Sequence, residues 1–87
     1  MDLEDFMPLC ALSVGECGRV QRLLTDGAMR RRLLDIGLTE GTEVKCVGRS
    51  PGGDPAAYLI RGAVIAIRDK DASTVLLQGG ASCRKRG

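Results

Sequence analysis

The segment AMRRRLLDIGLTEG, residues 28–41, decides the fold, because it predicts a short basic helix that stops at a glycine and leads into a strand. Met29, Leu33 and Ile36 recur at helical spacing, so one face of this helix is apolar and has to be buried. Asp26 stands where an N-cap side chain accepts a backbone N–H. We therefore expect the helix to pack against whatever the rest of the chain forms.

The end of this helix is marked as clearly as its body. Gly37 falls where a residue in the left-handed conformation would close the last turn, and Leu38 can fold back onto Leu33 as in a Schellman motif. Glu40 and Gly41 then predict a turn into the next strand.

Three consecutive arginines lie in the first turns of the predicted helix. At Arg30, Arg31 and Arg32 the helix dipole is positive, which disfavours each cation by a few tenths of a kcal/mol. Of the three, Arg31 alone has a carboxylate four residues on, Asp35, and the pair runs in the less favourable order. The arginines are either a solvated face of good helix formers or a cationic docking face for an acidic surface.

The remainder of the chain reads as short strands. Alternation and turn residues predict five of them, at 17–24, 42–48, 56–61, 63–68 and 74–77. In the first strand Val20 and Leu24 are expected on one side, and Leu23 breaks the alternation, as at a bulge or a second buried face. Val44 and Cys46 are expected to point inward. The strand at 63–68 has apolar residues on both sides, so we expect both of its faces to be covered.

The connections favour a mainly β architecture, a small and strongly bent β-barrel with one short α-helix between strands one and two. Residues 49–55, RSPGGDP, form a loop, and Gly62 alone separates two strands. Residues 1–8 are acidic and predicted to fray, with residue 8 opening an extended lead-in. Residues 9–78 form the domain, and residues 79–87 form a flexible basic tail. A closed barrel would also leave no strand edge exposed.

Composition excludes several classes of function. With 87 residues the chain has room for one domain, and without the last four residues it holds 10 basic and 11 acidic groups, a net charge of −1. A near-neutral body does not fit nucleic-acid binding. No stretch approaches the roughly 20 apolar residues of a membrane span, and the acidic N-terminus is unlike a signal peptide. We expect a cytoplasmic protein.

Chemistry-bearing residues are sparse. There is no histidine, no nucleophile beside a recognisable base and no phosphate-binding glycine motif, so we predict no catalytic residues and no enzyme. Cys10, Cys17, Cys46 and Cys83 permit three pairings but contain no CxxC spacing for a thiolate metal site. Cys46 is expected to be a small buried residue and Cys83 a free thiol. We predict no resident cofactor and assign no metal ligands, and Fe(II) remains a candidate ion.

Several motifs follow one another along the chain, namely RRRLLDIGLTEG, then GDP in a loop, then a strand that contains a tyrosine, a lone glycine and AIR. The order of these motifs resembles that of the FeoA family over about residues 9–78. The resemblance implies an SH3-like barrel of five to six short strands, similar also to the C-terminal module of DtxR-type metalloregulators. It implies a non-catalytic accessory protein of ferrous iron transport that docks on a cytoplasmic domain of the transporter FeoB and modulates Fe(II) uptake. The chain would be a monomer or weak oligomer that reaches the inner membrane through FeoB.

The resemblance and the arginine pattern together predict a partner-binding surface. Its residues are Met29, Arg30, Arg31, Arg32, Pro51, Gly53, Asp54 and Pro55. Gly52 stands where FeoA-like chains often have a bulky apolar residue, so Pro51 and Pro55 would supply the loop's contact. The alternative function that the resemblance allows is a module that binds or senses a transition metal ion, related to iron-dependent regulators.

Overall fold

A computed structural model describes residues 6–82, which form one antiparallel sheet, two helices and a short 3-10 turn. The strands are β1 (Phe6–Pro8), β2 (Glu16–Leu23), β3 (Glu43–Arg49), β4 (Ala56–Ile60), β5 (Ala63–Ile67) and β6 (Val75–Ser82). The helices are α1 (Gly27–Asp35) and α2 (Asp69–Ala72), and the 3-10 turn is Leu9–Ala11.

The strands hydrogen-bond in the order β1-β6-β2-β3-β4-β5, and every neighbouring pair is antiparallel. The predicted mainly β class, with one helix between two long strands, is confirmed. Within residues 6–82 no ladder joins β5 to β1, so the strongly bent sheet is not closed by hydrogen bonds. Both end strands therefore keep an outer edge, contrary to the expectation that a barrel would leave none.

Helix α1 ends in the predicted Schellman motif. The backbone N–H of Gly37 donates to Leu34 O at 3.0 Å and that of Leu38 donates to Leu33 O at 3.1 Å. Gly37 has a φ of +110°, and Leu33 and Leu38 are both buried. At the other end Asp26 occupies the N-cap position, but its side chain makes no capping hydrogen bond. The start of the helix is therefore less firmly fixed than its end.

The core is aliphatic, as the composition predicts. The buried cluster takes residues from every strand except β1, and its largest fully buried side chains are Leu9, Leu12, Val20, Leu38, Val44, Cys46, Tyr58, Ile60, Val75 and Leu77. Met29 and Ile36 of α1 pack on this cluster. The apolar face predicted for α1 is thus the face that closes the core.

A bulge in β2 changes which leucine is buried. The register with β6 shifts between Val20 and Arg22, so Leu23 is buried while Leu24 is 58% exposed. The expectation that Leu24 shares the inner side with Val20 was wrong. Of the two explanations open for Leu23, the bulge is the one observed, because an extra residue exchanges the two faces of a strand.

The N-terminal part of the described chain is more ordered than its sequence suggests. Phe6–Pro8, in the range expected to fray, pairs with β6, and a 3-10 turn replaces the extended lead-in. Leu9 and Leu12 are fully buried, and their burial holds this turn against the sheet. Strand β6 runs to Ser82, past the predicted 77, because β2 pairs with it as far as Ser82, whereas β1 pairs only with residues 76–78. Residues 1–5 and 83–87 lie outside the described part, and the proposed domain limits stay a prediction.

One face of β5 is open, although both were expected to be covered. Val64 is 64% exposed and Ala66 is exposed, while Ile67 is buried. The turn before β5 has two residues, Arg61 and Gly62, with φ values of 51° and 86°. Two positive φ values are typical of the tight hairpin turn whose twist matches its strands.

We predict that Gly37→Ala destabilises the fold by about 1–3 kcal/mol. A Cβ at this position would lie 2.9 Å from Arg61 Cδ and 3.0 Å from Ile60 Cγ2, on a backbone with positive φ. Urea unfolding measures the loss. Gly52→Ala is the control, because a Cβ there meets nothing within 4 Å, and equal stability of the two variants would contradict the prediction.

Tyr58 provides a second test. It is fully buried and its hydroxyl has no hydrogen-bond partner among the described residues, and burial raises the pKa of Tyr58 to about 12. Because this pKa is raised above the unfolded value of 10.0, the folded chain holds the proton more tightly and loses stability as the pH rises from 10 toward 12.

We therefore expect the unfolding free energy of Tyr58→Phe at pH 7 to equal that of the native chain or to exceed it by up to about 1 kcal/mol. Urea unfolding measures this difference. The variant should also lose less stability than the native chain between pH 9 and pH 11, since it removes the buried hydroxyl that ionises. A variant that is less stable at pH 7 would show that the hydroxyl contributes a favourable contact.

Candidate docking surface

The three arginines of α1 are free cations. Arg30, Arg31 and Arg32 are all exposed, and within residues 6–82 none of their guanidinium groups makes a hydrogen bond or ion pair. Asp35, the i+4 carboxylate of Arg31, does not pair with it. They are the fourth to sixth residues of the nine-residue helix, and Arg32 lies in its last turn, so the expectation that all three lie in the first turns was wrong. The helix dipole therefore does not disfavour Arg32. The three charges are available to a partner because no carboxylate among the described residues pairs with them.

The arginines lie beside different recesses. Arg30 and Arg31 border an open recess with Leu34, and Arg30 also reaches the space between α1 and the end of β2. Arg32 borders a groove of about 470 Å³ that runs between α1 and β5. The basic surface is thus wrapped around the helix rather than gathered in one pocket.

The 49–55 loop is held by its first residue. The guanidinium of Arg49 donates to Leu12 O at 2.6 Å, Cys10 O at 2.9 Å and Gly53 O at 3.3 Å. It therefore ties the loop to the 3-10 turn that precedes β2. This role of Arg49 has no signal in the sequence, because all three acceptors are backbone carbonyls and two of them lie far away along the chain.

The far side of the loop is bonded to α2. Asp54 Oδ1 accepts the backbone N–H of Asp69 at 2.9 Å, and the backbone N–H of Ser50 donates to Pro55 O at 3.1 Å across the loop. The Asp54–Pro55 peptide bond is cis. Asp54 thus has a structural partner, whereas Pro51 at the tip is exposed.

The structure brings together part of the predicted partner-binding surface. Met29, Arg32 and Pro55 line the same groove, whose floor is Ile65 and Ile67 of β5. Pro51, Gly53 and Asp54 do not line it, and neither do Arg30 and Arg31. Arg68 and Lys70, which lie outside the predicted surface, add cations to the groove from the start of α2. Their clustering with Arg32 depends on how the β5–α2 corner packs against α1.

Metal ligands are not gathered within the described residues. Residues 6–82 contain no group of three or more histidine, cysteine, aspartate or glutamate side chains placed to hold an ion. Cys10 and Cys46 are free thiols, the second fully buried as predicted, and Cys17 is disulfide-bonded. The prediction of a free thiol at Cys83 lies outside the described residues.

The comparison with family models agrees with this architecture. The model of the FeoA domain matches residues 7–78, most of the chain. The chain belongs to the FeoA family. This assignment confirms the resemblance found in the sequence.

Solved FeoA structures share the fold. The solution structure of iron(II) transport protein A from Clostridium thermocellum is 29% identical with a TM-score of 0.81, over 84% of this chain and 45% of that one. The present chain therefore spans less than half the length of that relative. Stenotrophomonas maltophilia FeoA, a prokaryotic SH3 domain protein solved with zinc, is 27% identical with a TM-score of 0.78, over 90% of this chain and 96% of that one.

A manganese-dependent transcriptional repressor also shares the fold, at 20% identity and a TM-score of 0.76, over 85% of this FeoA chain and 41% of the repressor. This likeness concerns the fold alone and agrees with the expected similarity to a regulator module. No curated protein matches the chain. No helix in the described part of the chain is long and apolar enough to cross a bilayer.

We predict that Arg49→Lys loosens the loop. A lysine cannot reproduce the fork that reaches three carbonyls, so we expect a loss of about 1–2 kcal/mol in unfolding free energy. Amide hydrogen exchange should become faster at Gly53 and Leu12, whose segments the guanidinium joins. Arg22→Lys is the control, since Arg22 is exposed and makes no side-chain hydrogen bond in residues 6–82. Unchanged exchange at both segments would contradict the role of Arg49.

Proposed function

We propose that this FeoA-family chain is a non-catalytic accessory protein that docks on a cytoplasmic domain of FeoB and modulates Fe(II) uptake. The observation that carries the proposal is the set of three consecutive, exposed arginines on α1, none of which forms an ion pair within residues 6–82. An acidic surface on a partner would supply the carboxylates that these cations lack. The proposal places the chain in the cytoplasm, recruited to the inner membrane through FeoB.

Electrostatics would set the rate of this association more than its affinity. Exposed charges at the rim of an interface steer the approach of the partner and are screened by salt. The apolar contact would come from the groove beside α1, where Met29 and Pro55 lie next to Arg32. Pro51, at the tip of the 49–55 loop, is exposed and offers a second apolar contact.

The loop suits docking because it is preorganised. Arg49 and Asp54 fix it at both ends before any partner arrives, so little conformational entropy would be lost on binding. Gly53 and Asp54 therefore act in the proposal as shape-determining residues, and Pro51 and Pro55 as the contacts.

A metal-sensing role is the second candidate, and the zinc complex of the Stenotrophomonas relative is the observation that favours it. In the present chain the absence of histidine and the scattered carboxylates and thiols of residues 6–82 supply few ligands. We therefore propose that docking needs no resident cofactor and that Fe(II) is the cargo of the transporter.

The test is reversal of the three arginines to glutamate. Glutamate is a good helix former, so we expect the triple variant to remain folded. We expect its association rate with the purified cytoplasmic part of FeoB to fall at least about tenfold at low salt, with a smaller difference at high salt. Surface plasmon resonance measures both rates.

The control variant carries the same reversal at Arg19 and Lys45, on β2 and β3, and should associate at close to the native rate. A folded triple variant that binds FeoB unchanged would refute the docking surface. A separate NMR titration with Fe(II), under reducing and anaerobic conditions, distinguishes the second candidate. Saturable shifts with iron alone would favour metal sensing, and shifts on α1 and the loop with the FeoB fragment alone would favour docking.

A further inference from the structure

The two edges of the sheet differ in how they are protected. Strand β1 has three residues and ends in Pro8, which cannot donate a ladder hydrogen bond. Strand β5 has five residues, AVIAI, with no proline and no charge, and its register with β4 is unbroken over all five pairs. Natural proteins usually blunt an edge with proline, charge or a bulge. The β5 edge has none of these.

Exposed apolar side chains lie next to the free edge of β5. Val64 is the most exposed large apolar side chain among the described residues, at 64%. It lies directly opposite Leu59, which is itself 36% exposed, and Ala66 lies opposite Ala57 on the next pair. The outer face of the β4–β5 hairpin is therefore an apolar surface that continues to the free edge.

The other face of β5 looks onto the groove. Ile65 and Ile67 form its floor, and Met29 and Ile36 of α1 form the opposite wall. Because the groove separates α1 from β5, the helix does not cover the strand. An added strand, which would lie about 4.8 Å from β5, would place alternate side chains toward the groove and toward Val64.

Charge around the edge indicates the occupant. Four exposed cations flank β5, namely Arg32, Arg61, Arg68 and Lys70. Three carboxylates lie near them, those of Asp54, Asp69 and Asp71. No ion pair joins these cations to a carboxylate within residues 6–82. A second copy of this chain would bring the same excess of cations to the contact, which disfavours self-pairing. A partner with carboxylates would remove the excess.

We propose that the free edge of β5 receives an extended segment of a partner protein, one with carboxylates beside small apolar residues, as an added strand of the sheet. Main-chain hydrogen bonds to β5 would supply affinity, and the groove and flanking cations would select the segment. This inference goes beyond the docking proposal, because it names a binding mode and requires no contribution from FeoB.

The test uses a synthetic peptide of about six residues, the usual length of a strand, with aspartate at both ends and alternating valine and threonine between. Titrated into the labelled full chain, it should shift the amide signals of Ala63–Ile67 and slow hydrogen exchange there. Val64→Glu should weaken binding about tenfold, through lost apolar contact and like-charge repulsion. Val14→Glu is the matched control, because Val14 is 58% exposed and lies outside the hairpin, and it should bind as the native chain does.

A second peptide, with lysine in place of each aspartate, distinguishes charge recognition from non-specific apolar binding. It should bind at least about tenfold more weakly than the aspartate peptide. The proposal is overturned if the aspartate peptide does not bind, if Val64→Glu binds it equally, or if the shifts centre away from β5. Self-association by sedimentation that Val64→Glu abolishes would also overturn it, since the edge would then belong to a second copy. None of these results depends on whether FeoB binds the arginines of α1.

Discussion

Two backbone hydrogen bonds, donated by the N–H groups of Gly37 and Leu38, end α1 and turn the chain toward β3. Because Gly37 has no Cβ, the helix end can lie against Ile60 and Arg61 of the β4–β5 turn. Leu33 and Leu38 are both buried by this arrangement. One cap therefore fixes the end of the helix against the β4–β5 turn.

A second constraint comes from a single guanidinium. Arg49 joins the 49–55 loop to the 3-10 turn through three carbonyls, and Asp54 joins the same loop to α2. Segments far apart in the chain are thus locked around a core with few aromatic rings. A small domain buries a limited fraction of its surface. Side-chain hydrogen bonds to the backbone therefore do much to fix the conformation of its loops.

Some charged side chains of the chain hold the fold together, and others are available to a partner. Arg49 and Asp54 are used inside the fold, whereas the arginines of α1 and the cations beside β5 have no partner among the described residues. The available charge lies next to exposed apolar side chains at the groove and at the free edge. Positive charge around an apolar contact is the arrangement expected for recognition of an acidic protein surface.

The sequence alone determined the elements whose signals are local. The cap at Gly37 and Leu38, the apolar face of α1, the inward Val44 and Cys46 and the mainly β class could all be read from spacing and turn residues. Local backbone geometry and side-chain period set these features, and neither requires knowledge of distant contacts. The order of motifs also identified the FeoA family.

Only the tertiary structure decided what depends on pairing at a distance. The exposure of Leu24 follows from a bulge opposite β6, and the length of β6 follows from its ladder with β2. The order of Phe6–Pro8 follows from its ladder with β6. The role of Arg49 follows from carbonyls nearly forty residues away. The open face of β5 depends on its place at the end of the sheet. A residue's neighbours across strands are set by register, which the sequence specifies only through the whole fold.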